Sequence, residues 1–373
     1  MRKVNIFGIG QIYTMDELIA ENSLNGIPLV YCTSTACMSV TSDMLSWVAQ
    51  SDVNNIAFVS KNKPDYNNVI IVLGCQVTHL AILNDIRTAE RLHEENPGAK
   101  VYMGGCLAQR FDIELPDFIN RLDVTFSPYK EIIPYDMKLI HWEKPFWVKD
   151  WSDSDGEFED GHLFRNYYPL KIGAGCDFNC KYCTIKGTRG VGYETDAYLQ
   201  VLEFLHNSDV VLISDSPTDR QIKDWVALAI RYNKSISIRN VEPHITCACE
   251  NELIELSAKG LLKIYHCPVQ HSSADVLKEM NRSPEQTFKA IEIMQKLRAN
   301  GTKVATNIII DYTVDNNGQQ EKAPNPTLQW LNDNFDYWSW NPYFDGKFIR
   351  SKAEKDFEYY ISDGRDIRKI LGE

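Results

Sequence analysis

"YYPLKIGAGCDFNCKYCTIKGTRG", residues 167–190, joins a strand-like run to a loop carrying Cys176, Cys180 and Cys183. The run "YYPLKIG" reads as a buried strand. Three thiols spaced by three and then two residues can occupy three corners of a cubane iron–sulfur cluster, leaving one iron open. A zinc site or a redox pair are the alternatives. Structural zinc, however, wants four ligands, often as two separated pairs, and the nearby candidate for a fourth is His162, upstream. Such a loop, placed after the first strand of a β/α repeat, lies at the mouth where those folds keep their chemistry.

Working outward, the strand-like runs "DVVLISD", "SISIRN", "LLKIYHCPV" and "TKVATNIII" follow, with helical stretches between them. In "PEQTFKAIEIMQKLRANG", Phe288, Ile291, Met294 and Leu297 fall on one helical face, between Pro284 at the start and Gly301 at the stop. These units predict a partial (β/α) barrel over 167–324. Upstream, over 1–145, "GIPLVYC", "NNVIIVLGC" and "AKVYMGGC" alternate with the helical patterns "SDMLSWVAQ", "HLAILNDIRTAERLHEE" and "DIELPDFINRL", predicting a doubly wound parallel sheet. The stretch 146–166 reads as an acidic linker. Residues 325–373 read as an extension rich in Trp, Tyr and Phe, able to cap the barrel or act as a lid.

Composition narrows the class. The chain has 373 residues, 44% of them hydrophobic, enough for two domains with full cores. No apolar run reaches the roughly 18 residues of a membrane helix, and the N-terminus lacks a signal-peptide pattern, so the expected location is the cytoplasm. Ten cysteines in that compartment argue for metal or catalysis rather than disulfides. The net charge of −12 is concentrated: "DWSDSDGEFED" (150–160) holds six acids, while 168–304 holds 17 basic against 16 acidic residues. RNA is therefore not excluded, although no basic stripe points to it.

Cys37, Cys75 and Cys106 lie far apart in sequence, yet each sits at or just beyond the end of a predicted strand. In a parallel sheet those ends share one edge, where ligands bind. Three thiols there can hold a second cluster, although each taken singly reads as a buried small hydrophobe. Cys32, Cys247, Cys249 and Cys267 read as packing residues.

The C-x3-C-x-aromatic-C pattern after a first barrel strand resembles the radical S-adenosylmethionine (SAM) enzymes. "ACMSVTSDMLSWVAQ", "VIIVLGCQVTHLAILNDIRTAERL" and "VYMGGCLAQR" resemble, in order, the three cysteine motifs of the methylthiotransferases within that family. "TIKGTRG", "RNVEPHIT" and "HCPVQHSSADVLKEMNRSP" extend the resemblance over roughly residues 28–310.

The resemblance implies two [4Fe–4S] clusters, one held by Cys176, Cys180 and Cys183 and an auxiliary one by Cys37, Cys75 and Cys106. It further implies SAM, bound at the open iron and cleaved reductively to a 5′-deoxyadenosyl radical, with a methylthio group passed to a carbon radical on the substrate. A reducing donor such as flavodoxin or ferredoxin is then a partner. Tyr182, Arg239 and Gln270 would face the cofactor. Arg189, and more weakly His271 and Ser273, would line the substrate pocket. Trp338 and Trp340 are expected to stack on an unstacked base, or else to cap the core.

The expected substrate is the hypermodified adenosine at position 37 of tRNA. The alternatives are an aspartate of a small-subunit ribosomal protein, or a two-cluster carrier without transferase activity. Departures from the family pattern stand beside these matches. "TNIIIDYTVDNN" places Asn307 where the family has an acid and lacks its Gly-Phe-Pro-Gly turn. The chain ends before room remains for the TRAM domain that grips RNA in typical members.

Overall fold

The computed structural model describes residues 69–123, 168–194, 210–316 and 319–362, four short strands nearer the N-terminus, and residues 201, 204–205 and 370–371. The chain forms two compact units. One comprises Met1–Val148 with Gly346–Ile361, the other Lys149–Asp345 with Ser362–Glu373. The helix expected over "SDMLSWVAQ", in the first cysteine motif, and the acidic linker lie outside the described residues.

The first unit holds a seven-stranded sheet of β1 (Lys3–Val4), β2 (Gln11–Thr14), β3 (Leu29–Cys32), β4 (Ala57–Phe58), β5 (Val69–Gly74), β6 (Lys100–Gly104) and β7 (Ile119–Asp123). Their order is β1-β2-β7-β6-β5-β3-β4. All pairs are parallel except β1 with β2. β5 is an interior strand, and its "VIIVLG" is apolar without alternation, as a strand covered on both faces requires. Ile70, Ile71 and Val72 have no exposed surface.

Helix α1 (His79–Glu95) follows, started by Thr78, whose hydroxyl accepts from the Ala81 N–H at 3.0 Å. Its Ile82, Leu83, Ile86 and Ala89, spaced for one face, are buried. Each of the larger three contributes about 1.5–3 kcal/mol by leaving water. α2 (Gly105–Ala108) is a single turn.

The helix expected over "DIELPDFINRL" does not form. Pro116 cannot donate its backbone N–H and disfavours the α conformation before it. The segment turns instead and continues as β7.

The second unit contains β8 (Tyr168–Lys171), β9 (Gly173–Ala174), α3 (Ile185–Arg189), β10 (Tyr193–Glu194), β11 (Val210–Ile213), α4 (Asp219–Arg231), β12 (Ile236–Ile238), α5 (Pro243–Ala248) and α6 (Glu250–Ala258). Then come β13 (Leu262–His266), α7 (Ala274–Glu279), α8 (Pro284–Ala299), β14 (Lys303–Ile310), β15 (Thr313–Asn316), β16 (Gln319–Lys322), α9 (Leu328–Asn334) and β17 (Tyr337–Pro342). β8, β11, β12, β13, β14 and β17 form one open parallel sheet in sequence order, with helices in the crossovers: a partial (β/α) barrel. All five strands expected in the barrel are present.

α8 starts at Pro284 behind a Ser283 cap and stops before Gly301, whose φ is +93°. Ile291, Met294 and Leu297 are buried as the pattern requires, but Phe288 is exposed. Thr287 and Ala290, one residue before it and two after, are buried instead.

Residues 325–342, expected within an extension, form α9 and the sixth barrel strand. α10 (Arg350–Phe357) belongs to the first unit, where Ala353 and Phe357 pack on Leu80 and Leu83 and Arg350 forks onto Glu90 at 2.8 and 3.0 Å. Among the described residues no helix is long and apolar enough to cross a membrane.

Candidate functional site

The cysteine loop begins where β8 ends, at the C-terminal edge of the barrel sheet, and its two ends are tied together. β9 pairs antiparallel with β10, joining Ala174 to Tyr193 and Gly173 to Glu194. The Cys176 N–H donates to the Gly190 carbonyl at 3.1 Å. Gly175 permits the closure: its φ is +76°, and an added Cβ would lie 2.2 Å from the Val191 carbonyl oxygen. Asp215, just past β11, accepts from the Gly175 N–H at 2.9 Å and from Arg189 at 3.0 and 3.1 Å. Arg189 is therefore nearly buried in an ion pair that fastens the far end of the loop. Its geometry is that of a loop fastener, where the sequence suggested contact with substrate.

The segment Glu279–Arg282, at the end of α7, clasps residues 179–182. Lys181 donates its N–H to the Met280 carbonyl at 3.2 Å, and Asn281 Nδ2 donates to the Asn179 carbonyl at 3.0 Å. Arg282 is nine-tenths buried. It donates to Tyr182 Oη at 3.1 Å, to Cys180 Sγ at 3.7 Å and to the Pro268 carbonyl at 2.8 Å, and pairs with Glu242 at 2.7 Å. The Tyr182 ring packs against Val276, Met280, Ile309, Tyr312 and Ala323. Burial foremost pushes up the Cys176 thiol, with Phe178 N–H and Ser216 partly offsetting it. Burial likewise pushes Cys183 up to about 12, and the neighbouring charges of Cys180 and Cys176 add to that. The three sulfurs therefore sense one another.

Arg239, Gln270, His271 and Ser273 follow the C-terminal ends of β12 and β13, on the same sheet edge. Arg239 follows β12 and is buried, its N–H donating to the Leu212 carbonyl at 3.1 Å. Gln270 adopts φ +69° and bridges to β14 through Asn307 and Ile309. His271 is buried, and burial pushes its imidazole down to about 4. Ser273 caps α7, its hydroxyl accepting from the Val276 N–H at 3.4 Å. Trp338 is 1% exposed and its indole donates to Asn332 at 3.2 Å, so it is core and not a stacking platform. Trp340 on the same strand is half-buried.

Asn307 accepts from Ser339 at 3.0 Å and meets His266 Nε2 at 2.5 Å. Because His266 Nδ1 accepts from the Asn240 N–H at 3.1 Å, its Nε2 carries the proton and donates. The amide thus fits a neutral imidazole.

In the first unit, Cys75 follows β5 and Cys106 begins two residues beyond β6. The two strands are neighbours, with Gly74 bridged to Gly105, so both cysteines sit at adjacent ends of one sheet edge. Both are buried. Asp85 of α1 accepts from the Cys75 N–H, and the Val77 N–H donates to Cys75 Sγ at 3.4 Å. Arg110 of "GCLAQR" forks onto Asp112 at 2.6 and 2.7 Å and reaches the Gly346 carbonyl at 2.6 Å. Cys37 lies outside the described residues.

The Radical SAM superfamily model matches residues 170–318, which span the cysteine loop and five of the six barrel strands. The ribosomal protein uS12 methylthiotransferase RimO of Carboxydothermus hydrogenoformans is 25% identical over 92% of this chain and 78% of that protein. The tRNA-2-methylthio-N(6)-dimethylallyladenosine synthase of Anoxybacillus flavithermus is 22% identical over 72% of this chain and 55% of that protein. The chain thus carries a Radical SAM domain and is similar to the radical SAM methylthiotransferases. A solved radical SAM methyltransferase, TsrM of Kitasatospora setae, is 10% identical, with a TM-score of 0.46 over 76% of this chain and 68% of that one.

The cofactors of a radical SAM methylthiotransferase are SAM and [4Fe–4S] clusters, and the barrel loop fits such a group. Among the described residues no three His, Cys, Asp or Glu side chains stand close enough to hold a single metal ion, so the thiols fit separate corners of a cluster and not one ion. Thiols whose ionisation is costly become good ligands once a cationic iron centre compensates them. Arg282 and the Phe178 N–H stand ready to donate to the sulfurs. Arg282, Glu242 and Asp215 are the residues whose roles the sequence did not disclose. Arg282 and Glu242 lie inside the quoted "MNRSP" and "RNVEP", and Asp215 ends the strand run "DVVLISD", but only the fold shows what each one touches.

Proposed function

We propose that this methylthiotransferase replaces a C–H hydrogen with a methylthio group on an aspartate of a small-subunit ribosomal protein, in the cytoplasm. The observation carrying this reading is the match to the uS12 enzyme across 92% of this chain and 78% of that relative. The charge balance supports it too. Affinity for RNA comes from Lys and Arg that neutralise phosphates, and this chain carries a net −12. The tRNA adenosine remains a second reading, favoured by "RNVEPHIT" and by the Anoxybacillus relative.

In this reading Cys176, Cys180 and Cys183 hold one [4Fe–4S] cluster, and Cys37, Cys75 and Cys106 an auxiliary one. When bound, the first cluster with SAM supplies the radical that removes hydrogen from an unactivated carbon, and the second supplies the sulfur. The protein's share is positioning. Gly175 and the Arg189–Asp215 pair close the loop. Arg239 and Gln270, at the ends of β12 and β13, orient SAM. Tyr182 anchors the loop in the apolar cluster.

The test is mass spectrometry of ribosomal proteins and tRNA nucleosides from cells with and without the gene. Loss of a methylthio-aspartate peptide supports the proposal. Loss of a 2-methylthioadenosine with uS12 unchanged replaces it with the tRNA reading, and no change in either pool rejects both. Ligand assignment is read separately, as about eight irons per reconstituted chain, falling to about four when either cysteine triplet is changed to Ala.

A further inference from the structure

Arg282 lies outside the cysteine pattern, yet it reaches a thiol of the loop. Its guanidinium is buried, donates to Cys180 Sγ at 3.7 Å and is paired with Glu242 at 2.7 Å. Three further bonds fix its place. It holds Tyr182 Oη and the Pro268 carbonyl, and its neighbour Asn281, at φ +60°, holds the Asn179 carbonyl. A buried ion pair costs desolvation, and apolar residues would hold the loop as firmly. An Arg–Glu pair retained beside a sulfur ligand calls for an electrostatic use.

We infer that Arg282 is a positioning residue that sets the reduction potential of the barrel cluster by donating to Cys180 Sγ, with Glu242 setting how much of its charge the cluster feels. The inference rests on the reading that Cys176, Cys180 and Cys183 hold that cluster. Reduction adds one electron, and so one negative charge, to the cluster. The electron comes from an external low-potential donor, dithionite in the assay, and no bond is made or broken. A cation hydrogen-bonded to a ligand sulfur favours the reduced form, and the carboxylate beside it opposes that. Removing Arg282 leaves Glu242 unopposed and lowers the potential. Removing the Glu242 charge frees the guanidinium and raises it. Opposite signs from two adjacent residues are an electrostatic signature that a merely structural contact does not produce.

The experiment is an EPR-monitored titration of the full chain in a Cys75→Ala/Cys106→Ala background, so that one cluster gives the signal. At the potential where this parent is half reduced, Arg282→Met is expected to lower its reduced-to-oxidised ratio at least about tenfold, or about 59 mV for one electron. Glu242→Gln is expected to raise the ratio. Arg282→Lys keeps the charge without the fork and falls between parent and Arg282→Met. Iron content reads the underlying assignment: about four irons in the parent background, and none when Cys176, Cys180 and Cys183 are also changed. With iron retained, shifts of the same sign, or none, overturn the inference. If Arg282→Met fails to load iron, Glu242→Gln decides: an upward shift supports the inference, and an unchanged potential overturns it.

Discussion

Replacing Gly175 by Ala strikes the closure of the cysteine loop without touching a cysteine. An L-residue at φ +76° pays about 1–2 kcal/mol for the left-handed conformation. The new Cβ would sit 2.2 Å from the Val191 carbonyl oxygen and 2.7 Å from its carbon, both backbone atoms, so the two ends of the loop must part. Parting them loses the β9–β10 pairing and the Cys176–Gly190 bond, each hydrogen bond contributing about 0.5–1.5 kcal/mol net. The combined cost is about 3–5 kcal/mol, which lowers the closed population roughly a hundredfold to a few thousandfold, at tenfold per 1.4 kcal/mol.

The assay is the rate at which a ferrous chelator strips iron from the reconstituted, unreduced protein. Circular dichroism establishes that the fold persists. Gly187→Ala is the matched control, because nothing lies within 4 Å of that position and its backbone needs no positive φ. Gly175→Ala is expected to lose iron from one cluster at least a hundredfold faster, and Gly187→Ala at the parental rate. Equal rates in all three proteins would refute the argument that loop closure holds the cluster ligands.

Two further perturbations follow from the barrel. The His271 imidazole is held down to about 4 by burial, against an ordinary 6.5. The unfolded chain thus binds its proton first as pH falls. Stability contributed by the neutral ring is whole above pH 6.5, declines between 6.5 and 4, and is gone below 4, a loss of up to about 3 kcal/mol. Urea unfolding across that window should show a shallower acid loss in His271→Gln than in the parent; parallel profiles would disprove the assignment. Trp338→Ala empties a core site and frees Asn332, and is expected to cost about 3–5 kcal/mol and reduce soluble protein. A well-folded, iron-loaded variant that has merely lost RNA affinity would restore the stacking role.

The barrel strands and the long helices α1 and α8 were legible in the sequence because apolar runs and caps act locally. Thr78 and Ser283 start their helices, and the β5 and β14 runs are buried as their composition implies. The misreadings share a cause in longer-range geometry. "DIELPDFINRL" has a helical spacing of apolar residues, but Pro116 and the vacancy beside β6 made it a strand. The aromatic tail looked like a lid because nothing in "DYWSWNP" reveals that β14 offers it an open edge.

At the site, the close spacing of Cys176, Cys180 and Cys183 marked the loop as the candidate cluster site. Arg189 was legible as functional, but its partner Asp215 lies 26 residues on, so its work as a loop fastener was not. Arg282 stands about a hundred residues from Cys180 and Tyr182, a separation across which no local pattern carries information.

The central claim is that the loop at 176–183 drives reductive cleavage of SAM, while the cysteines of the first unit serve a separate step. It is tested most directly by quantifying 5′-deoxyadenosine from anaerobically reconstituted protein given SAM and dithionite. The parent should form it. Cys176→Ala/Cys180→Ala/Cys183→Ala should form none, and Cys75→Ala/Cys106→Ala should still form it without methylthio product. The absence of 5′-deoxyadenosine from the iron-loaded parent, or its persistence in the first variant, would contradict the account.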